Sequence, residues 1–179
     1  LKRIQQLAQA TGKYSQIFAI YQDWGTQRSE LISPATFSEI VAPHYKKIFD
    51  WIHANTNWKI FFHTCGSIFN IIPHMIDMGV DILNPIQCNA TNMEPERLKS
   101  AYGDKLTFWG GGVDTQKVLS FGTAQEVEDQ VKERLQQLSP GGGYVFNTIH
   151  NVVGNVPAQN LLAMFNAYRE FCGLKLLNK

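Results

Sequence analysis

The sequence is short of cysteine, of surplus charge and of long apolar runs, and each shortage closes off a class of protein. Three cysteines in 179 residues, Cys65, Cys88 and Cys172, are odd in number and widely spaced. A disulfide framework is therefore not expected, and a reducing, cytoplasmic setting is. Sixteen basic side chains against fifteen acidic ones leave a net charge of +1, which lays down no electrostatic footprint for nucleic acid or an anionic membrane. No apolar run approaches the roughly 20 residues that a bilayer-spanning helix needs. The opening, LKRIQQLAQATGKY, lacks an apolar stretch and a small-residue cleavage site, so it is not a secretory leader. It has no initiator methionine and reads as the end of a helix already under way, as in a chain cut from something longer.

What the sequence does have is enough apolar content for a core: 44% hydrophobic against 17% charged residues describes one globular domain over residues 1–179. Five β-like runs recur, each followed by a helix-like stretch. They are Ile17–Asp23, Lys59–Cys65, Asp81–Ile86, Lys105–Gly110 and Tyr144–Ile149. The helical stretches span about Phe37–Ala54, Ile68–Met78, Pro95–Tyr102, Ala124–Leu138 and Pro157–Cys172. Thr123 and Glu126 have the spacing of a capping box, Pro157 suits a first helical turn, and Gly79, Gly103 and Gly173 stand where left-handed caps belong. Strands alternating with helices imply βαβ crossovers and a mostly parallel sheet. The strands (IFAIY, IFF, YVF) are apolar on both faces, as in a sheet covered on both sides. Five such units form either an open doubly wound sheet or part of a closed eight-unit barrel.

Either architecture gathers ligands beyond the carboxyl ends of its strands. Asp23, His63, Cys65, Asn84, Gln87, Asp114, Asn147 and His150 all fall there. Residues i and i+2 of a strand share a side, so His63 and Cys65 project together: either two ligands of a tetrahedral zinc or a buried cysteine beside a hydrogen-bonded histidine. His150, ending the fifth strand, either completes a three-ligand catalytic metal site or binds a substrate carboxylate. Asp23 is a metal-supporting partner, a substrate ligand, a general base or a turn aspartate. Of the glycine runs, Gly110–Gly112 stands where a ligand would approach closely, and Gly141–Gly143 reads as a tight turn. His44, His53 and His74 read as outer-layer residues, Cys88 as a reserve ligand and Cys172 as packing.

The series QDWGTQ…ISP, FFHTCGSI, GVDILNPIQ, FWGGGVDTQ, PGGGYVFNTIHN and NVPAQNLLAMF resembles the uroporphyrinogen decarboxylase superfamily, from about Ile17 to Ala167. That superfamily includes the heme-pathway decarboxylase and the cobalamin-dependent methyltransferases, on a (β/α)8 TIM barrel. The resemblance implies an α/β barrel fragment, the last five βα units, with the first three absent. An isolated five-strand arc would expose edges and apolar faces, so a homodimer or a missing N-terminal half is expected.

Zinc-dependent corrinoid methyltransferases carry an H-x-C after a barrel strand, matched by His63 and Cys65, and a cysteine before the final helix, where this chain has His150. In that branch the resemblance implies zinc on His63, Cys65 and His150, with Asp23 in the catalytic machinery. Asn84, Gln87, Asp114 and Asn147 would bind substrate, a small-molecule methyl donor or acceptor, and a partner protein would supply the corrinoid. One thiolate instead of two leaves the ion at +1 and a stronger Lewis acid. The decarboxylase branch matches at His150 and has no use for the H-x-C pair. A third alternative is a scaffold or metal-binding module that is inactive without its other half. The metal assignment stands on His150 approaching the other two ligands; a separation beyond ~10 Å would end it.

Overall fold

A computed structural model describes residues 1–177. Helix α1 (Lys2–Thr11) precedes β1 (Ile17–Tyr21), followed by α2 (Pro34–Thr36), α3 (Ala42–Asn55), β2 (Lys59–His63) and α4 (Ile72–Asp77). Next come β3 (Ile82–Asn84), α5 (Pro95–Tyr102), β4 (Thr107–Trp109), α6 (Val118–Phe121), α7 (Ala124–Leu138), β5 (Tyr144–Val145) and α8 (Ala158–Phe171). All neighbouring strands pair in parallel, in the spatial order β1-β2-β3-β4-β5. A doubly wound sheet reverses its strand order at a switch point. The sequential order here does not reverse, and it settles the alternative as an arc of a barrel.

The register separates two faces. Phe62, Leu83, Phe108 and Tyr144 lie in line across the sheet and pack against the helices. With Phe49, Ile52, Met75 and Leu98 the first three form the larger core cluster. Val127, Val131 and Leu135 of α7 meet Met164 and Ala167 of α8 in the second. The opposite row, which would line the inside of a barrel, carries Tyr21, His63 and Asn84 in register. Towards the free edge this inner face is open: Ile17 is 41% and Tyr21 70% exposed.

All five strands stop short of their expected ends, and after β2 the switch from sheet to loop falls between Thr64 and Cys65. The Thr64 amide still donates to the Asn84 carbonyl of β3, whereas the Cys65 amide turns to Asp23. The stretch expected as one helix from Phe37 is broken by a π-helical turn, Phe37–Val41. Pro43 has no N–H to give, and the ladder shifts there, with the Ala42 amide reaching five residues back to the Phe37 carbonyl. The helix expected from Ile68 begins as a 3₁₀ turn, Phe69–Ile71.

The capping box of Thr123 and Glu126 is present, and Gly79 and Gly173 have the expected positive φ. Gly103 does not: it is right-handed (φ −67°), since the chain turns on through hydrogen bonds to the Tyr102 carbonyl. Pro157 sits at the N-cap in extended geometry rather than within the first turn.

Candidate metal centre

The loops after β1 and β2 are fastened to each other. The Trp24 amide donates to Thr64 Oγ1 (2.9 Å), the Cys65 amide to Asp23 Oδ1 (2.9 Å) and the Ser67 amide to the Thr26 carbonyl (2.7 Å). Thr64 is fully buried, so its hydroxyl serves the backbone and not a ligand. Gly66 turns with φ +93°, and a Cβ there would lie 2.5 Å from the Gly25 carbonyl carbon. Both the dihedral and the contact require glycine. Cys65 is thereby held on a turn with little freedom.

His63 closes β2 on the inner face. Asn84 Nδ2 donates to the Trp109 carbonyl (3.0 Å), which turns its Oδ1 towards His63 Nδ1 (2.7 Å). That network puts the imidazole proton on Nδ1 and leaves a lone pair on Nε2, the orientation that a metal-ligating histidine needs. Nε2 faces Cys65 Sγ at 3.5 Å. Ligand bonds of about 2.3 and 2.0 Å at a tetrahedral angle set sulfur and nitrogen about 3.5 Å apart. The pair therefore already has the spacing that zinc imposes.

His150 comes from the loop beyond β5, its ring 6.4 Å from that of His63, centroid to centroid. One ligand atom from each of His63, Cys65 and His150 lies within 4.8 Å of the others. With the His63–Cys65 pair at 3.5 Å, the slack lies towards His150, and closing it to a tetrahedral edge of about 3.3–3.5 Å takes a movement of at most about 1.5 Å. His150 is exposed, while the other two are partly buried. The Cys65 thiol is pushed up to about 11 by burial, then by the charge and hydrogen bonding of Asp23. At neutral pH it is protonated unless a cation displaces the proton. Two nitrogens and one soft sulfur, with the His63–Cys65 pair already at ligand spacing, suit a borderline-soft divalent ion.

The remaining sequence candidates divide by how free their polar atoms are. Asp23 is open, its side chain 58% exposed and Oδ1 3.9 Å from His63 Nε2. Asn84 is committed to His63 and Trp109. Gln87 is buried, its Oε1 accepting from the Gly66 amide (2.7 Å) and its Nε2 donating to Gln27 Oε1 (2.8 Å). Asp114 is also buried, Oδ1 accepting from Asn89 and from the Gln116 and Lys117 amides. Asn147 is exposed, and its Oδ1 accepts from the Thr148 amide.

Cys88 lies outside the cluster; its thiol, pushed up to about 12 chiefly by burial, points at the Ile86 and Gly111 carbonyls. Cys172 is exposed, not packed, because α8 ends at Phe171. His53 is engaged by Asp81 at 2.8 Å, at the opposite end of the strands. At Gly111 the close approach is the chain's own, since a Cβ there would meet the Ile86 carbonyl oxygen at 2.8 Å. Sequence reasoning missed Gln27 and Thr64, which hold the turn that carries Cys65. Amide and hydroxyl pairs across loops leave no spacing signal, although both residues sit in the quoted segments QDWGTQ and FFHTCGSI.

The family model described as Uroporphyrinogen decarboxylase (URO-D) matches residues 3–171, and the chain belongs to that family of enzymes. A uroporphyrinogen decarboxylase from Synechococcus sp. (strain CC9605) is 26% identical over 156 residues, 86% of this chain and 40% of that protein. A solved methyltransferase from Methanosarcina mazei superposes with a TM-score of 0.67 at 21% identity, over 89% of this chain and 43% of that one. The second likeness is one of fold. The chain thus spans about two-fifths of the length of these relatives. Among the described residues no helix is long and apolar enough to cross a membrane.

Proposed function

We propose that the chain is the C-terminal, five-unit part of a zinc-dependent methyl-transfer enzyme, with His63, Cys65 and His150 as the metal ligands. The observation that carries this reading is the 3.5 Å approach of Cys65 Sγ to the lone-pair nitrogen of a histidine whose other nitrogen is fixed by Asn84. Zinc held by these three residues would supply Lewis acidity, the chemistry that makes an acceptor thiol nucleophilic at neutral pH. The chain's own residues do the rest. Asn84 orients His63, and the Asp23–Cys65 hydrogen bond aims the sulfur. The second oxygen of Asp23 can take the proton that a bound acceptor gives up. Asn147, exposed beyond β5, is available to the small-molecule methyl donor or acceptor. A corrinoid would be brought by a partner protein to the carboxyl-end face, and the remaining barrel units, or a second copy of the chain, would close the sheet.

A second reading, decarboxylation of a tetrapyrrole, is favoured by the sequence relative; in it His63 and Cys65 only line the pocket. Metal analysis of purified protein separates the two. Stoichiometric zinc, lost in both His63→Ala and Cys65→Ser, is the expected result. Metal-free porphyrinogen turnover that survives both substitutions would overturn the zinc reading. Zinc and turnover that emerge only when the other barrel strands are supplied would identify the chain as an inactive module by itself.

A further inference from the structure

The geometry points to Gln27 and Gln87 as positioning residues for Cys65, joined in a single polar brace that carries the placement of the β3 loop to the metal turn. The inference rests on the zinc reading for its consequence, but its structural content stands apart from that. The brace runs in one direction. The Gly66 amide, one residue past Cys65, donates to Gln87 Oε1 at 2.7 Å; Gln87 Nε2 donates to Gln27 Oε1 at 2.8 Å; Gln27 Nε2 donates to the Asn89 carbonyl at 2.9 Å. A backbone N–H can only donate and a carbonyl only accept, so both ends are fixed and both amide orientations follow from them. The Gln27 backbone is held too, its carbonyl accepting from the Thr91 amide at 3.1 Å.

Each group in the chain has one role, and none can reverse without leaving a mismatched pair. Gln87 is 8% exposed, so its amide has no water to fall back on, and the Gly66 amide depends on it. Gly66 itself has no room to relax, being pressed against Gly25. The consequence is that Cys65 is located from two directions: Asp23 holds its own amide from the β1 loop, and the glutamine pair holds the next amide from the β3 loop. Gln87 is thus assigned to positioning rather than to substrate. Gln27, exposed at the mouth, is the outer link, where a substitution of equal shape disturbs the hydrogen bonds without disturbing the core.

The test uses Gln27→Met, Gln87→Met and the double variant, in a Cys172→Ser background to remove the exposed thiol. Cobalt(II) is the probe, its affinity measured by chelator competition and its sulfur-to-metal charge-transfer band by absorption. Outer-shell partners typically contribute 10- to 100-fold in metal affinity. Gln27→Met is expected to weaken cobalt binding by about that factor, with the double variant no weaker than the worse single one, because the two act in series. In metal-free protein, alkylation of Cys65 by iodoacetamide is expected to accelerate in all three variants. Unchanged affinity together with an unchanged alkylation rate would overturn the brace. If the parent protein takes up neither cobalt nor zinc, the zinc reading fails, and the alkylation rates alone then decide the brace for or against.

Discussion

The two sides of the candidate site are built differently. On the β1–β3 side, His63 and Cys65 are held by Asn84, Asp23, Thr64 and the glutamine pair, through hydrogen bonds of 2.7–2.9 Å that cross between loops. On the β5 side, His150 sits after a strand of only two residues. Among the described residues, no side chain from Asn151 to Asn155 makes a hydrogen bond to another element, and Val152 and Val153 are 45% and 52% exposed. Two ligands are set in advance. The third is an exposed side chain at the start of a sparsely bonded loop, its backbone tied back through Thr148 and the Ile149 amide. Among the described residues no hydrogen-bonded neighbour orients its ring. Preset ligands bind with little ordering cost, whereas a loop ligand must be immobilised as it binds. Affinity therefore concentrates on one side of the site, and adjustability on the other.

Substitution can break this contrast. Structural zinc on four ligands gives an apparent 10–16 kcal/mol, about 2.5–4 kcal/mol per ligand, and Cys65→Ser, which removes the anionic ligand, should weaken zinc towards the upper end of that range, on the order of 10³-fold by chelator competition. His150→Ala should weaken it less, on the order of 10²-fold, because the ordering cost of its loop disappears with the ligand. Equal losses would mean that both sides are preset. The acidity of Cys65 sharpens the contrast. With its thiol near 11, a proton is bound at pH 7 and leaves on zinc binding, so apparent affinity should rise about tenfold per unit between pH 7 and 8 and fall as pH is lowered. Calorimetry in buffers of different ionisation enthalpy should count about one proton released, and none in Cys65→Ser. Thr64→Val, which removes the acceptor for the Trp24 amide, should cost about 1–3 kcal/mol in denaturant unfolding. The smallest effect belongs to Thr123→Ala, remote from both sides, at about 1 kcal/mol with zinc affinity unchanged.

The same contrast divides what could be read from the sequence. The strand–helix alternation, the capping box and the clustering at strand ends follow from local periodicity and residue chemistry, and the five units lie where those signals put them. The fate of each polar residue at a strand end does not. Asp114 and Asp23 are the same residue type in similar positions, yet one is buried under three donors and the other is open to solvent. The difference arises from which neighbouring loop reaches each of them, a relation between segments distant in the chain. Gln27 escaped notice for the same reason, its partners lying 60 and 62 positions away. The π-helical turn, by contrast, has a local cause in Pro43 and was open to inference.

The two rims of the sheet differ in length, since β1 offers five residues and β5 two. A strand that completes the sheet finds its longest template at β1, beside the open side chains of Ile17 and Tyr21, so zippering would begin there. The seam would shut last next to His150, making the settling of that loop a late event in assembly. Pulse-labelled amide exchange should then show protection arriving at Phe18–Tyr21 before it arrives at Thr148–His150; simultaneous protection would refute that sequence of events.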